Sequence, residues 1–234
     1  LLLKTKERFN AIVWGTEDLA VCYNYWWNTR NLRTEFFNPS QPGSEVVLFN
    51  ERNYQDRYSD PGDFVERRNK YGRDVLQVSK NQVHLLGDGY SDEGIYPFVD
   101  LYDLKTKETK RLYEAEKNDK LERLSRAINI EKGILLTRLE SKSEYPNYYF
   151  RNIKKGTLQP ISNNENPFEA IQNVHKEVIT YKREDGLDLS ATLYLPVGYD
   201  KASGAKLPML MWAYPREFKD KSSAGQVTSS PNEF

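Results

Sequence analysis

The sequence is poor in the residues that build most catalytic and metal centres. Among 234 residues it has one cysteine, Cys22, and two histidines, His84 and His175. A lone thiol excludes an intrachain disulfide and a cysteine-based metal cluster. Neither histidine has a neighbouring His or Cys at ligand spacing, so no metal site and no cofactor is expected. Neither sign of charge is in surplus: 34 basic residues face 34 acidic ones. A neutral chain gives no electrostatic hold on nucleic acid or on an anionic membrane surface. Long apolar runs are missing as well. None approaches the roughly 18 residues that a spanning helix needs. Leu1-Leu2-Leu3 is too short for the apolar core of a secretory leader, and Lys4 and Lys6 lie on the wrong side of it. Gly87-Asp88-Gly89 lacks the lysine of a phosphate loop and reads as a turn, and Asp60-Pro61-Gly62-Asp63 reads as a turn rather than a calcium loop.

What the sequence does have is aromatic residues, 13% of the chain, in a background of low mean hydropathy, −0.78. Aromatic and β-branched residues favour strands, and the low mean hydropathy fits strands with one wet face. Cys22, inside Leu19-Ala20-Val21-Cys22-Tyr23, is expected to be a small buried hydrophobe. Ile12-Val13-Trp14 and Leu19 to Tyr23 flank the turn Gly15-Thr16-Glu17-Asp18, a hairpin pattern. Thr34 to Phe37 and Val46 to Phe49 flank a second turn rich in Pro and Gly. Val75 to Val78 is expected to pair with Val83 to Leu86, and Phe98 to Leu104 with Thr109 to Tyr113. A third group runs Ala127 to Ile130, Ile134 to Leu139, Tyr148 to Ile153 and Thr157 to Ile161.

Three rounds of four strands, each about 50 residues, predict a mainly β fold with three four-stranded propeller blades over residues 1–161. A β-sandwich of a dozen strands is the alternative, and the recurring grouping in fours speaks against it. Three blades do not close a ring, so the propeller is expected to be incomplete. Residues 162–174, opening with Ser162-Asn163-Asn164-Glu165-Asn166-Pro167, read as a linker. Residues 175–234 then read as a second unit. Glu177 to Arg183 and Leu187 to Leu195 flank an Asp185-Gly186 turn, and Leu207 to Tyr214 is apolar enough to predict a strand buried on both faces. The chain begins without Met and ends at Pro231-Asn232-Glu233-Phe234 with no terminating element, so an internal piece of a longer protein is expected.

The run Val178 to Pro196 resembles the entry to the peptidase domain of the prolyl oligopeptidase family, where an Asp-Gly hairpin leads to a strand ending in Leu-Pro and then to a buried strand and turn. Many relatives write that turn as Tyr or His followed by Gly-Gly. Here it reads Trp212-Ala213-Tyr214-Pro215-Arg216-Glu217-Phe218. Tyr214-Pro215-x-Glu217-Phe218-Lys219, Ala224-Gly225-Gln226-Val227 and Ser230-Pro231-Asn232-Glu233-Phe234 are similar to the glutamyl endopeptidase branch. So are Tyr58-Ser59-Asp60-Pro61-Gly62, Thr29-Arg30 and Arg33-Thr34 upstream. The resemblance implies that residues 175–234 open an α/β-hydrolase domain, truncated here. It also implies a peptide substrate, a propeller that limits substrate size, and a bacterial periplasmic, secreted or chloroplast location.

A serine hydrolase of this kind needs a Gly-x-Ser-x-Gly elbow, a histidine base and an acid. No such elbow occurs in the chain, and neither His84 nor His175 falls at the family's catalytic position, so the triad is expected outside this chain. Tyr214 falls where the family places a tyrosine that donates its hydroxyl to the oxyanion. Cleavage after glutamate would require a cation for the substrate carboxylate, and Arg30, Arg33 and Arg216 are the candidates. The chain alone is expected to be inactive, with self-association through exposed strand edges one way for it to stay folded. The other functional reading is a non-catalytic binding propeller carrying a vestigial hydrolase segment.

Overall fold

The expected strand groups are present, and their order follows the chain. The computed structural model describes residues 1–214 and 216–234. Its first sheet is a meander of β1 (Arg8–Thr16), β2 (Leu19–Trp26), β3 (Asn31–Phe37) and β4 (Val47–Asn53), each antiparallel to the next. The second region holds β5 (Asp63–Phe64), β6 (Glu66–Arg68), β7 (Asp74–Leu76), β8 (Gln82–Gly87), β9 (Tyr90–Ser91), β10 (Gly94–Ile95), β11 (Phe98–Asp103) and β12 (Thr109–Glu114). Its main sheet runs β12-β11-β8-β5, and β6/β7 and β9/β10 form separate small hairpins. The third sheet is again a meander, of β13 (Lys120–Asn129), β14 (Ile134–Ser141), β15 (Asn147–Asn152) and β16 (Thr157–Pro160). These are the three four-stranded blades expected.

One pairing differs. Val75 to Val78 does not lie against Val83 to Leu86. Val75 pairs with Arg67 across the turn at Asn69–Gly72, where the Asn69 side chain accepts from the Tyr71 and Arg73 amides. The partner of β8 is instead β5, with Phe64 opposite Leu85, and the one bridge across the expected hairpin is Ser79 to Gln82. The side-chain bonds of Asn69 favour the local turn, which takes β7 away from the blade.

Strand alternation explains why the middle blade is dry on both faces. Val83, Leu85 and Tyr102 point to the first blade and pack with Val21, Phe36, Phe64 and Leu76. Leu86 and Val99, one residue out of phase, point to the third blade and pack with Ile130 and Leu135. Phe36, Phe49, Phe64 and Tyr102 form an aromatic knot in the first interface, with Phe49 edge-on to Tyr102 at 4.9 Å. Gly87 sits directly under the Phe98 ring, where an added Cβ would stand 2.1 Å from the ring. Ala20, Cys22 and Phe37 fill the outer face of the first blade beneath Leu2 and Leu3. The Cys22 thiol is fully buried there, and burial, with the Glu35 charge adding to it, pushes its pKa to about 11.

After the third blade, β17 (His175–Lys182) and β18 (Asp188–Leu195) form the expected hairpin. The third expected strand, Leu207 to Tyr214, is not formed: this segment has no ladder and is exposed, Leu210 at 95% and Trp212 at 89%. A strand buried on both faces needs a neighbour on each side and cover above and below. Among the described residues, β17 and β18 pair with one another alone, so nothing receives the run. The short helix α1 (Lys221–Ala224) follows, capped by the Asp220 carboxylate. No helix among the described residues is long and apolar enough to cross a membrane.

Candidate functional site

The candidate cations sit in very different surroundings. Arg30 closes the four-residue loop Trp27–Arg30 between β2 and β3, with a backbone φ of 60° that few non-glycine residues adopt. The Tyr54 amide donates to its carbonyl at 2.8 Å, tying the loop to the end of β4. Its side chain is 3% exposed and lies over the Trp27 ring, 4.2 Å from the centroid. One terminal nitrogen, Nη1, donates to the Trp27 carbonyl, and Nη2 lies 3.4 Å from the Glu217 carboxylate. Nε is buried without a partner.

Arg33, on β3, is already engaged. Its Nε and Nη2 donate to Glu35 Oε1 at 3.0 and 2.9 Å, and Nη1 pairs with Glu51. Glu35 is 2% exposed and also accepts from Asn24 at 2.8 Å, so Arg33 neutralises a buried carboxylate. Arg216 is exposed, and Tyr214 is 80% exposed in the unpaired run. His84 lies on β8, half-buried, and burial holds its pKa below the usual value, with the Lys154 charge adding to that. His175 opens β17 and lies 3.0 Å from Glu177 on the surface.

The feature that sequence reading did not anticipate is the course of residues 217–234. They run back over the blades as a strap. The Glu217 carbonyl accepts from Gln55 Nε2 at 2.5 Å, and the Lys219 amide donates to Gln55 Oε1 at 3.3 Å. Asn53 donates to Asp220, and Gln226 both accepts from the Arg57 amide at 2.7 Å and donates to Asp56 at 2.5 Å. The Val227 amide donates to the Tyr58 hydroxyl at 2.9 Å. The far end reaches the third blade. Asn232 donates to the Asn118 carbonyl at 3.0 Å, the Phe234 amide to Glu140 at 3.0 Å, and Phe234 stacks edge-on to Tyr145 at 5.1 Å. Lys176, on β17, donates to the Glu233 carbonyl at 2.6 Å. Motifs about 170 to 190 residues apart in the chain, around Arg30 and Tyr58 on one side and Glu217 and Gln226 on the other, thus form one surface.

The strap is electrostatically tuned. Burial pushes the Asp56 carboxyl up, but hydrogen bonds from Gln226, Ser59 and Tyr58 together hold it below the ordinary aspartate value. Asp220 is likewise held low, by Ser222 and Ser223 at the start of α1 and by Asn53, against a smaller push from burial. Beside the strap, Arg57, Tyr58, Tyr90, Tyr96, Phe98 and Arg111 line an open pocket of about 190 Å³. Its two arginines are taken up by Asp88 at 2.7 Å and by Asp100 at 2.5 Å, so it offers no free cation.

No family model matches the chain. Among solved structures, oligopeptidase B from Leishmania major overlaps 79% of this chain and 31% of its own, a loose overlap at a TM-score of 0.42 and 7% identity. The sequence relatives are nearer. The "Probable glutamyl endopeptidase, chloroplastic" of Oryza sativa subsp. japonica is 36% identical over the whole of this chain, and its Arabidopsis thaliana counterpart is 37% identical, again over the whole chain. The chain spans about a quarter, 26%, of the length of these curated relatives. Along its full length, then, this chain is similar to one segment of the glutamyl endopeptidases, and the resemblance read from its motifs is borne out.

Proposed function

We propose that this chain is part of a serine peptidase that hydrolyses peptide bonds through an acyl-enzyme and cleaves after glutamate. The observation that carries this reading is identity of 36–37% along the whole chain to plant proteins named as glutamyl endopeptidases. On this reading the blades restrict access by substrate size, and the nucleophile, acid and base lie outside these residues. Tyr214 supplies a hydroxyl to the oxyanion of the tetrahedral intermediate, where a preorganised donor lowers the barrier by about 3–4 kcal/mol. Arg30, not Arg33, is the cation for a substrate carboxylate. Arg33 is spent on Glu35 and Glu51, whereas Arg30 keeps a free donor in a dry, aromatic setting.

The test is to assay the full-length parent with chromogenic peptides ending in Glu or Pro, together with an active-site-directed fluorophosphonate. Labelling with cleavage after Glu is the expected result. Labelling without that cleavage would remove the specificity, and absence of labelling would favour a binding propeller.

A further inference from the structure

Among the described residues, Arg30 is the one cation with a buried nitrogen that has no hydrogen-bond partner. A guanidinium recognises a carboxylate best through two parallel N–H donors, and Nε with Nη2 forms such a fork. In Arg30 this fork is badly used: Nε has nothing, and Nη2 has Glu217 at 3.4 Å, longer than a good charge-assisted hydrogen bond. Glu217 is itself shared. Its side chain is 56% exposed and its other oxygen is held by Lys219, whose ammonium lies 5.4 Å from the same Trp27 ring. The loop side of the site is fixed by the Trp27 and Tyr54 contacts, whereas the Glu217 carboxylate needs only a side-chain rotation to leave. A buried donor left unpaired costs about 1–3 kcal/mol in general, which makes this arrangement a poor final state for Arg30.

We propose that Arg30 is a receptor for one carboxylate of a bound acidic peptide, seated on the Nε–Nη2 fork above Trp27, and that Glu217 fills the receptor as an internal stand-in until the peptide displaces it. The identity of the occupant as a glutamate side chain rests on the peptidase reading; the existence of the receptor does not. Displacement exchanges one carboxylate for another, so it costs no net charge burial. It also adds the hydrogen bond to Nε that Glu217 does not make. The strap's backbone, held by Gln55 at two points, stays in place during the exchange.

The test uses the 234-residue chain, ¹⁵N-labelled, as wild type and as Glu217→Gln. Each is titrated with acetyl-Ala-Glu-amide and acetyl-Ala-Gln-amide while the Arg30 Nε–H resonance is followed. Removing the internal competitor is expected to tighten binding of the Glu peptide about fivefold, the upper end of what a pair with one exposed partner is worth. The Arg30 Nε–H signal should shift with the Glu peptide and not with the Gln peptide. Arg30→Lys, which keeps the charge and loses the fork, should abolish the difference between the peptides. Should that variant fail to fold, the Nε–H signal in Glu217→Gln decides alone. Equal affinity of wild type and Glu217→Gln, an equal response to both peptides, or an unmoved Nε–H signal would each overturn the proposal. Failure here alongside cleavage after Glu by the full-length parent would remove only Arg30. Binding here without fluorophosphonate labelling would keep the receptor and remove the peptidase.

Discussion

Gln226→Ala isolates the strap from the blades. The glutamine accepts from the Arg57 amide at 2.7 Å and donates to the Asp56 carboxylate at 2.5 Å. Alanine removes both bonds and leaves the Arg57 amide, in a partly buried setting, without its acceptor. A neutral hydrogen bond contributes about 1 kcal/mol and one to a charged group about 1.5–3, so docking of the strap should weaken by roughly 2.5–4 kcal/mol. Expressed as local opening, that is about a 70- to 900-fold rise in hydrogen exchange. The rise should appear at the amides of Arg57 and of Val227, the latter bonded to the Tyr58 hydroxyl. Gln226 belongs to neither of the two clusters between the blades, so amides flanked by that core, such as those of Val21 and Val99, should keep their protection. Exchange at neutral pH, read residue by residue by NMR, makes the comparison. Unchanged exchange at Val227 would refute the hydrogen-bond reasoning. A parallel rise at Val21 and Val99 would refute the claim that the strap opens apart from the core.

Four further outcomes are expected. Asp56 and Asp220 both have depressed pKa values in the folded chain, so their contribution to docking is complete above the ordinary aspartate range, near 4, and is lost as pH falls through the depressed values; the amide shifts of Val227 and Ser223 should therefore move in acid and stay flat from pH 5 to 8. Glu122→Ala strips the buried acceptor shared by Tyr113 at 2.6 Å, Thr137 at 2.8 Å and Arg151 at 2.5 Å, and should cost about 3–5 kcal/mol in a urea melt, as breaking a buried pair does. Burial first, and then the bond to Glu122, pushes the Tyr113 phenol above its ordinary pKa, so the milder Glu122→Gln should bring that titration back down in an ultraviolet pH scan. On the proposed reading, Tyr214→Phe in the whole peptidase should lower kcat about 100-fold or more with an unchanged melt, and an unaltered kcat would remove the oxyanion role.

The blades were legible because their strands carry both signals that specify a meander: alternation along the strand, and Gly, Pro, Asn or Asp at the turns. Leu85 and Leu86 could be assigned to opposite faces from period alone, although which neighbour each face meets could not. Three parts were not legible. The strands β5 and β6 are two or three residues long, and Glu66-Arg67-Arg68 is charged throughout, so no periodicity marks them or the pairing of β7 with β6. The run Leu207 to Tyr214 has the composition of a buried strand, but a strand is a relation to neighbours, and composition does not supply them. The strap is held by Asn53, Gln55, Asp56, Tyr58 and Gln226, polar residues whose pairing across some 170 positions leaves no local pattern. The motif likenesses at Thr29-Arg30, Tyr58 to Gly62 and Gln226-Val227 were the only sequence signal that these stretches belong together.

The strap also constrains how the candidate residues relate to one another. The Glu217 backbone is held at Gln55, its carboxylate faces Arg30, and two residues separate it from Tyr214. A chain rises at most about 3.5 Å per residue, so the Cα atoms of Tyr214 and Glu217 lie within about 11 Å in any conformation. The tyrosine therefore cannot act at a site remote from the first blade while the strap is docked. On the proposed reading, the hydroxyl directed at the oxyanion and the guanidinium directed at the substrate side chain are linked through this short tether and the contact of Glu217 with Arg30. Inserting three glycines between Tyr214 and Glu217 in the parent breaks that constraint without touching either side chain. Cleavage after Glu should then fall while fluorophosphonate labelling persists. Undiminished preference for Glu would show that Arg30 and Tyr214 do not serve one substrate.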